Sequence, residues 1–155
     1  MKSTRTETRL ELLAMQTKLS TLWIFALLNV VFRDIHELFR PGFLAEIMTG
    51  TVGGVEMNEG LLLQAGIMLE LLIVMVLLAR ILPYRPNRWA NIVVGLFAAV
   101  YILISGTNDL DDIFFAAIEL LTSLLIVWFA WTWPNPEAEK SRAFTAASFG
   151  TEGQS

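Results

Sequence analysis

Ionisable and amide side chains recur at helical spacing inside apolar stretches of this sequence. Asn29, Arg33, His36, Glu37 and Arg40 follow one another at intervals of three or four or less, which puts all five within an arc of roughly 100° on one helix face. Asp34 stands about 100° round from Arg33. Glu70 falls near the middle of a second apolar stretch, with Gln64 roughly 120° away from it. Asp112, Glu119 and Thr122 or Ser123 make a further stripe at helical spacing in a third. A charged side chain at the centre of a membrane helix costs about 2.5–3.5 kcal/mol on insertion scales, so residues of this kind need partners and are functional candidates. Turned towards one another, the three stripes would enclose a polar cavity built around Asn29, Arg33, Asp34, Glu37, Glu70 and Glu119. Within it Arg33 can pair with Glu37 along its own helix, or with Glu70 or Glu119 across the bundle.

Three chemistries suit such a cavity. It can hold a solute or lipid-like ligand, with Arg33 and the carboxylates as polar anchors and aromatic walls. It can be an interhelical network that fixes helix register in a subunit of a membrane complex, at about 0.6 kcal/mol per hydrogen bond. It can also be a proton or ion path through Glu70, Glu119 and His36. A metal centre is not expected, because bundle sites use repeated Glu-x-x-His pairs and the residue three before His36, the single histidine, is Arg33. No catalytic residue is assigned, since there is no Gly-x-Ser-x-Gly nucleophile motif and no phosphate-binding glycine loop followed by a helix. The absence of cysteine removes thiolate nucleophiles, disulfides and Cys-ligated metal. No cofactor can be named from the sequence.

The elements that must position these residues are four apolar segments. Hydrophobic residues make up 55% of the 155-residue chain, against about 45–50% for a soluble domain by a looser count. The segments run over 19–39, 61–82, 89–105 and 110–133, close to the ~20 residues that a hydrocarbon core of roughly 30 Å requires. Pro41-Gly42, Pro83, Gly106 and Pro134 end them in turn. The third is the shortest and, with only Asn91, Tyr101 and Ser105 as polar residues, reads as a packing or lipid-facing element. The expected fold is an all-α bundle of four transmembrane helices. Before it, residues 1–18 read as a cytoplasmic segment with a short amphipathic surface helix, or as an extension of the first span. Between the first two spans, Phe43 to Met48 reads as an interfacial helix, and 49–54 as a flexible turn. After the last span, 134–155 is polar and aperiodic and is expected to be a disordered cytoplasmic tail.

Charge sets the expected orientation. Lys2, Arg5, Arg9, Lys18, Arg80, Arg85, Arg88, Lys140 and Arg142 gather on one side of this topology, against Arg33 and Arg40 on the other. Positive charge in short loops marks the cytoplasmic face, so both termini are placed inside, in the cytoplasmic membrane, and the polar cavity opens outwards. Trp23, Trp89, Trp128, Trp131 and Trp133 fall towards the same inner interface, where indoles settle at headgroups. The expected partners are the lipid bilayer and, through the small residues Ala65-Gly66, Gly95, Ala98-Ala99 and Ala116-Ala117, a second copy or another membrane protein. The net charge of −4 and dispersed cations give no nucleic-acid footprint. The loop bearing Arg80, Arg85 and Arg88 could meet anionic headgroups.

The strings Leu19-Ser20-Thr21-Leu22-Trp23-Ile24-Phe25, Met48-Thr49-Gly50, Arg88-Trp89-Ala90-Asn91-Ile92 and Phe114-Phe115-Ala116-Ala117-Ile118-Glu119 resemble a family of small four-helix bacterial membrane proteins whose shared domain has no assigned function. The resemblance covers roughly Lys18 to Trp133 and implies a topology and a bacterial context, with no reaction attached. Asn29, Asp34, Glu70 and Glu119 fall at polar positions of that family, whereas Arg33 and His36 depart from it. In size and span number alone the chain is also similar to DoxX-like small membrane proteins.

Overall fold

Proline, glycine and asparagine divide the chain at the points where helices start and stop. The structure, a computed structural model, describes residues 2–105, 110–135, 138 and 141, leaving out the side chains of 2–5 and 8. The expected loop over 106–109 and most of the expected disordered tail lie outside the described residues. The elements are α1 (Lys2–Glu37), α2 (Phe43–Met48), β1 (Thr51–Val52), β2 (Val55–Glu56), α3 (Glu59–Ile81), α4 (Tyr84–Ser105) and α5 (Leu110–Trp131). Among the described residues four helices, α1, α3, α4 and α5, are long and apolar enough to cross a membrane.

Local chemistry explains where these bounds depart from expectation. No Pro or Gly interrupts residues 2–37, so the N-terminal segment is not a separate surface helix but the first turns of α1. At 36 residues this helix is about 54 Å long, well beyond a core of roughly 30 Å. It stops at Glu37, short of Phe39, in a turn tightened by bonds from Leu38, Phe39 and Arg40 N–H to the carbonyls three residues earlier. Helix α3 starts at Glu59 because the Asn58 Oδ1 accepts from the Leu61 N–H at 2.9 Å. It ends because Leu82, preceding Pro83, is held extended. Helix α4 then begins at Tyr84, not Trp89. Pro86 sits in its first turn, where a missing N–H leaves no intrahelical bond unmade. The segment after α2 folds back on itself. Thr51 pairs with Glu56 and Val52 with Val55 in a hairpin, turned by Gly53 and Gly54 at φ 57° and 78°, a geometry that two glycines permit.

Helix α1 packs against α3 on one side and α5 on the other, α4 packs on α5, and α3 meets α4 only lightly. Gly95 allows the close α4–α5 contact, since a methyl group there would lie 2.8 Å from Val127 Cγ2. The packed core sits at one end of the bundle, where Leu19, Trp23, Met75, Ala79, Ile92, Ile126, Ala130 and Trp133 come together. This basic end also carries Lys18, Arg80, Arg85 and Arg88. The two-residue connection 82–83 pins α3 to α4 there, and the helices part towards the opposite, open end. Elsewhere the helices present large apolar side chains outward, among them Leu63, Leu77, Ile104, Phe114 and Leu121. A belt of that size is stable only against hydrocarbon. The chain is a multi-pass membrane protein.

Candidate functional site

The gap between α3 and α4 is a cavity of about 460 Å³, roofed by α1 and α5, within the 300–1,000 Å³ usual for ligand pockets. Its walls are mainly apolar, with Trp23, Leu72, Phe97 and Ile102 among them, and its polar groups are Arg33, Asp34, Tyr101, Ser105, Glu119 and Ser123. The Phe97 and Tyr101 rings stack along α4, 6.4 Å between centroids.

Arg33 organises the polar end. Its Nε donates to Asp112 Oδ1 at 3.2 Å, and its Nη1 lies 3.5 Å from Glu119 Oε2. Asp112 and Glu119 are seven residues apart, two turns on one face of α5, and a guanidinium is long and forked enough to reach both. Both carboxylates are buried while the Arg33 side chain keeps 24% of its exposure. Ser123 and Thr122, next along the stripe, donate to the carbonyls of Glu119 (2.9 Å) and Ile118 (2.7 Å) and so satisfy themselves on their own helix. The other carboxylate oxygen of Glu119, Oε1, is buried without a hydrogen-bond partner among the described residues.

The residues named from sequence divide into two groups. Arg33, Asp34 and Glu119 share the cavity. Glu70 does not: its neighbours Met68, Leu69, Leu71 and Leu72 line the wall, roughly 100–160° round α3 from Glu70 on either side, which leaves Glu70 exposed on the outside of the bundle. Asn29 donates to the Phe25 carbonyl at 2.9 Å and borders a separate shallow groove with Phe32, His36 and Phe115. Glu37 pairs with Arg40 at 2.7 Å rather than with Arg33. His36 Nε2 lies 3.5 Å from Asp111 Oδ2, half exposed. A shared helix face does not bring these residues into one cavity, because α1 has neighbours on two sides and its polar arc is split between α5 and the outer groove.

Helix α4, expected as a packing or lipid-facing element, supplies both the cavity wall and a buried polar chain. Trp23 Nε1 donates to Asn91 Oδ1 (2.7 Å); Asn91 Nδ2 donates to the carbonyl (2.8 Å) and Oδ1 (2.7 Å) of Asn87; Asn87 Nδ2 donates to the Ala79 and Leu82 carbonyls (2.8 and 3.2 Å). Helices α1, α4 and α3 are thereby tied at the floor of the cavity. The four-residue spacing of Asn87 and Asn91 was the available signal. Trp23 is accordingly a core residue, not an interfacial one, and Trp133 is buried too, whereas Trp89, Trp128 and Trp131 are exposed at the basic end. Arg88 is engaged by the protein itself: Nε and Nη2 donate to the last carbonyls of α5, Ala130 (3.1 Å) and Trp131 (3.0 Å), where a cation also meets the negative end of the helix dipole.

Residues 11–139 match the family model described as a family of unknown function, DUF6326. The chain belongs to that family. Both the cavity and the asparagine chain lie inside the matched region, which begins within α1. No curated protein and no solved structure matches the chain.

Proposed function

We propose that the protein binds a small amphiphilic ligand in the gap between α3 and α4. The observation that carries this reading is a mainly apolar cavity of about 460 Å³ with Glu119 in its wall, whose buried Oε1 has no hydrogen-bond partner among the described residues. A buried carboxylate oxygen is costly unless something donates to it. A second reading, a structural network alone, is supported by the double engagement of Arg33 by Asp112 and Glu119. Native mass spectrometry of protein extracted in mild detergent separates the two. Binding predicts an added mass on the wild type that is lost in Glu119→Ala while the variant stays folded. A bare protein in both would overturn the ligand reading and favour the network.

The same reading places both termini and the basic end on the cytoplasmic side of the cytoplasmic membrane, with the cavity opening outwards. Its support is the asymmetry of Lys18, Arg80, Arg85 and Arg88 against Arg33 and Arg40, together with the exposed Trp89, Trp128 and Trp131 at the basic end. Because the chain has no cysteine, single replacements report topology directly. Val55→Cys should react with a membrane-impermeant maleimide on intact cells and Glu7→Cys only after lysis; the reverse pattern would invert the topology and the direction of the cavity.

A further inference from the structure

Among the described residues the polar end of the cavity is short of positive charge. Arg33 is a single cation shared by Asp112 and Glu119, at 3.2 and 3.5 Å, and Asp34 opens on the same cavity. The other guanidinium at this end, Arg40, is engaged by Glu37, and His36 faces Asp111. Glu46, Glu56 and Glu59, around the hairpin at the same end, add further negative charge, which attracts cations and repels anions at the mouth. Glu119 is 4% exposed, and its Oε1 has no donor among the described residues. A ligand group that balances Asp34 and Glu119 from within the cavity is therefore cationic and a hydrogen-bond donor. Phe97 and Tyr101 line the same space, aromatic side chains of the kind that attract a cation, and the rest of the wall suits an alkyl or aryl body.

We propose that the ligand carries a primary ammonium head, held by Glu119 and Asp34, on an apolar body that fills the space between α3 and α4. This rests on the binding role given above and names the chemical class it serves. The head can belong to a free amine or to an ethanolamine lipid; the shared chemistry is N–H donation from a cation.

The test is calorimetric titration of the full chain in maltoside detergent with octylammonium, octanol and octanoate, three probes that share a chain and differ in head. Octylammonium should bind saturably and about 10- to 100-fold more tightly than octanol, as one charged hydrogen bond implies, and octanoate should not bind. Glu119→Gln, which keeps shape and removes charge, should bring octylammonium down to the octanol level, and Asp34→Asn should weaken it by a smaller factor. Octanoate binding best would make Arg33 the anchor and overturn the ammonium assignment while leaving the cavity a ligand site. Equal binding of octanol and octylammonium would mean that a proton already balances Glu119, and would likewise overturn it. Saturable binding of none of the three, with a folded protein, would take the binding role down as well. Addition of dispersed phosphatidylethanolamine assigns the source: displacement of octylammonium points to the lipid headgroup, and undiminished binding to a free amine.

Discussion

Replacing Arg33 with alanine is expected to destabilise the bundle by about 3–5 kcal/mol, the usual cost of removing one member of a buried ion pair and stranding the other. Two carboxylates are stranded here, Asp112 and Glu119, with side chains only 12% and 6% exposed, while the lost guanidinium had bridged two turns of α5. Arg33→Lys should fall between wild type and alanine, because one compact ammonium cannot span the two acceptors as a planar fork does. The triple change Arg33→Met, Asp112→Asn, Glu119→Gln should recover most of the loss, since buried ionic networks are often replaceable as a whole. Denaturant unfolding of the purified protein followed by far-UV circular dichroism measures all three. A shift below about 1 kcal/mol for Arg33→Ala, the range of an exposed pair, would show that the network is solvated and carries little of the fold.

Trp23→Ala should cost a similar 3–5 kcal/mol, roughly the range for emptying a large aromatic site. Trp23 is 0% exposed and belongs both to the packed core at the basic end and to the wall of the cavity, so its loss would join the cavity to the core and leave Asn91 Oδ1 without the indole donor. Trp23→Phe separates the two contributions. It keeps most of the volume and orphans the amide oxygen, and about 1–3 kcal/mol is expected from that alone. If the two variants melt together, the hydrogen-bond chain through Asn91 and Asn87 contributes most of what Trp23 adds to stability; if Trp23→Phe melts with wild type, packing contributes it.

Both sites lie on α1, and they anchor it differently. Near the basic end Gln16 donates to the Leu82 carbonyl (3.0 Å) and Ser20 to the Val76 carbonyl (3.0 Å), with Trp23 reaching Asn91 a turn further on, so α1 is fastened to the α3–α4 connection. Towards the open end its fastening passes to α5 through Arg33. The bundle is thus clamped at one end around apolar packing and amides, and at the other by one guanidinium, with the cavity between the two clamps.

How much of this fold and site is legible in the sequence follows from the range of the interactions involved. Four spans, their approximate ends and the short helix at 43–48 are local properties: apolar runs of bilayer length, closed by breakers such as Pro83, need no knowledge of neighbours. The candidates Arg33, Asp34 and Glu119 could be named because a charge within an apolar run is costly wherever the run ends up. Whether such a charge faces a cavity or the surroundings depends on how each helix is rotated, and that is decided by close approaches between distant residues, such as Gly95 beneath Val127 and the Trp23–Asn91–Asn87 chain. Glu70 illustrates the limit, since its depth was readable from its position in α3 but its direction was not. The sequence by itself determined that this is a four-helix membrane protein with charged side chains inside its spans. The tertiary structure decided that Arg33 holds Asp112 and Glu119, that Glu70 turns outward, and that the polar space lies between α3 and α4, because a two-residue connection binds those helices at one end only.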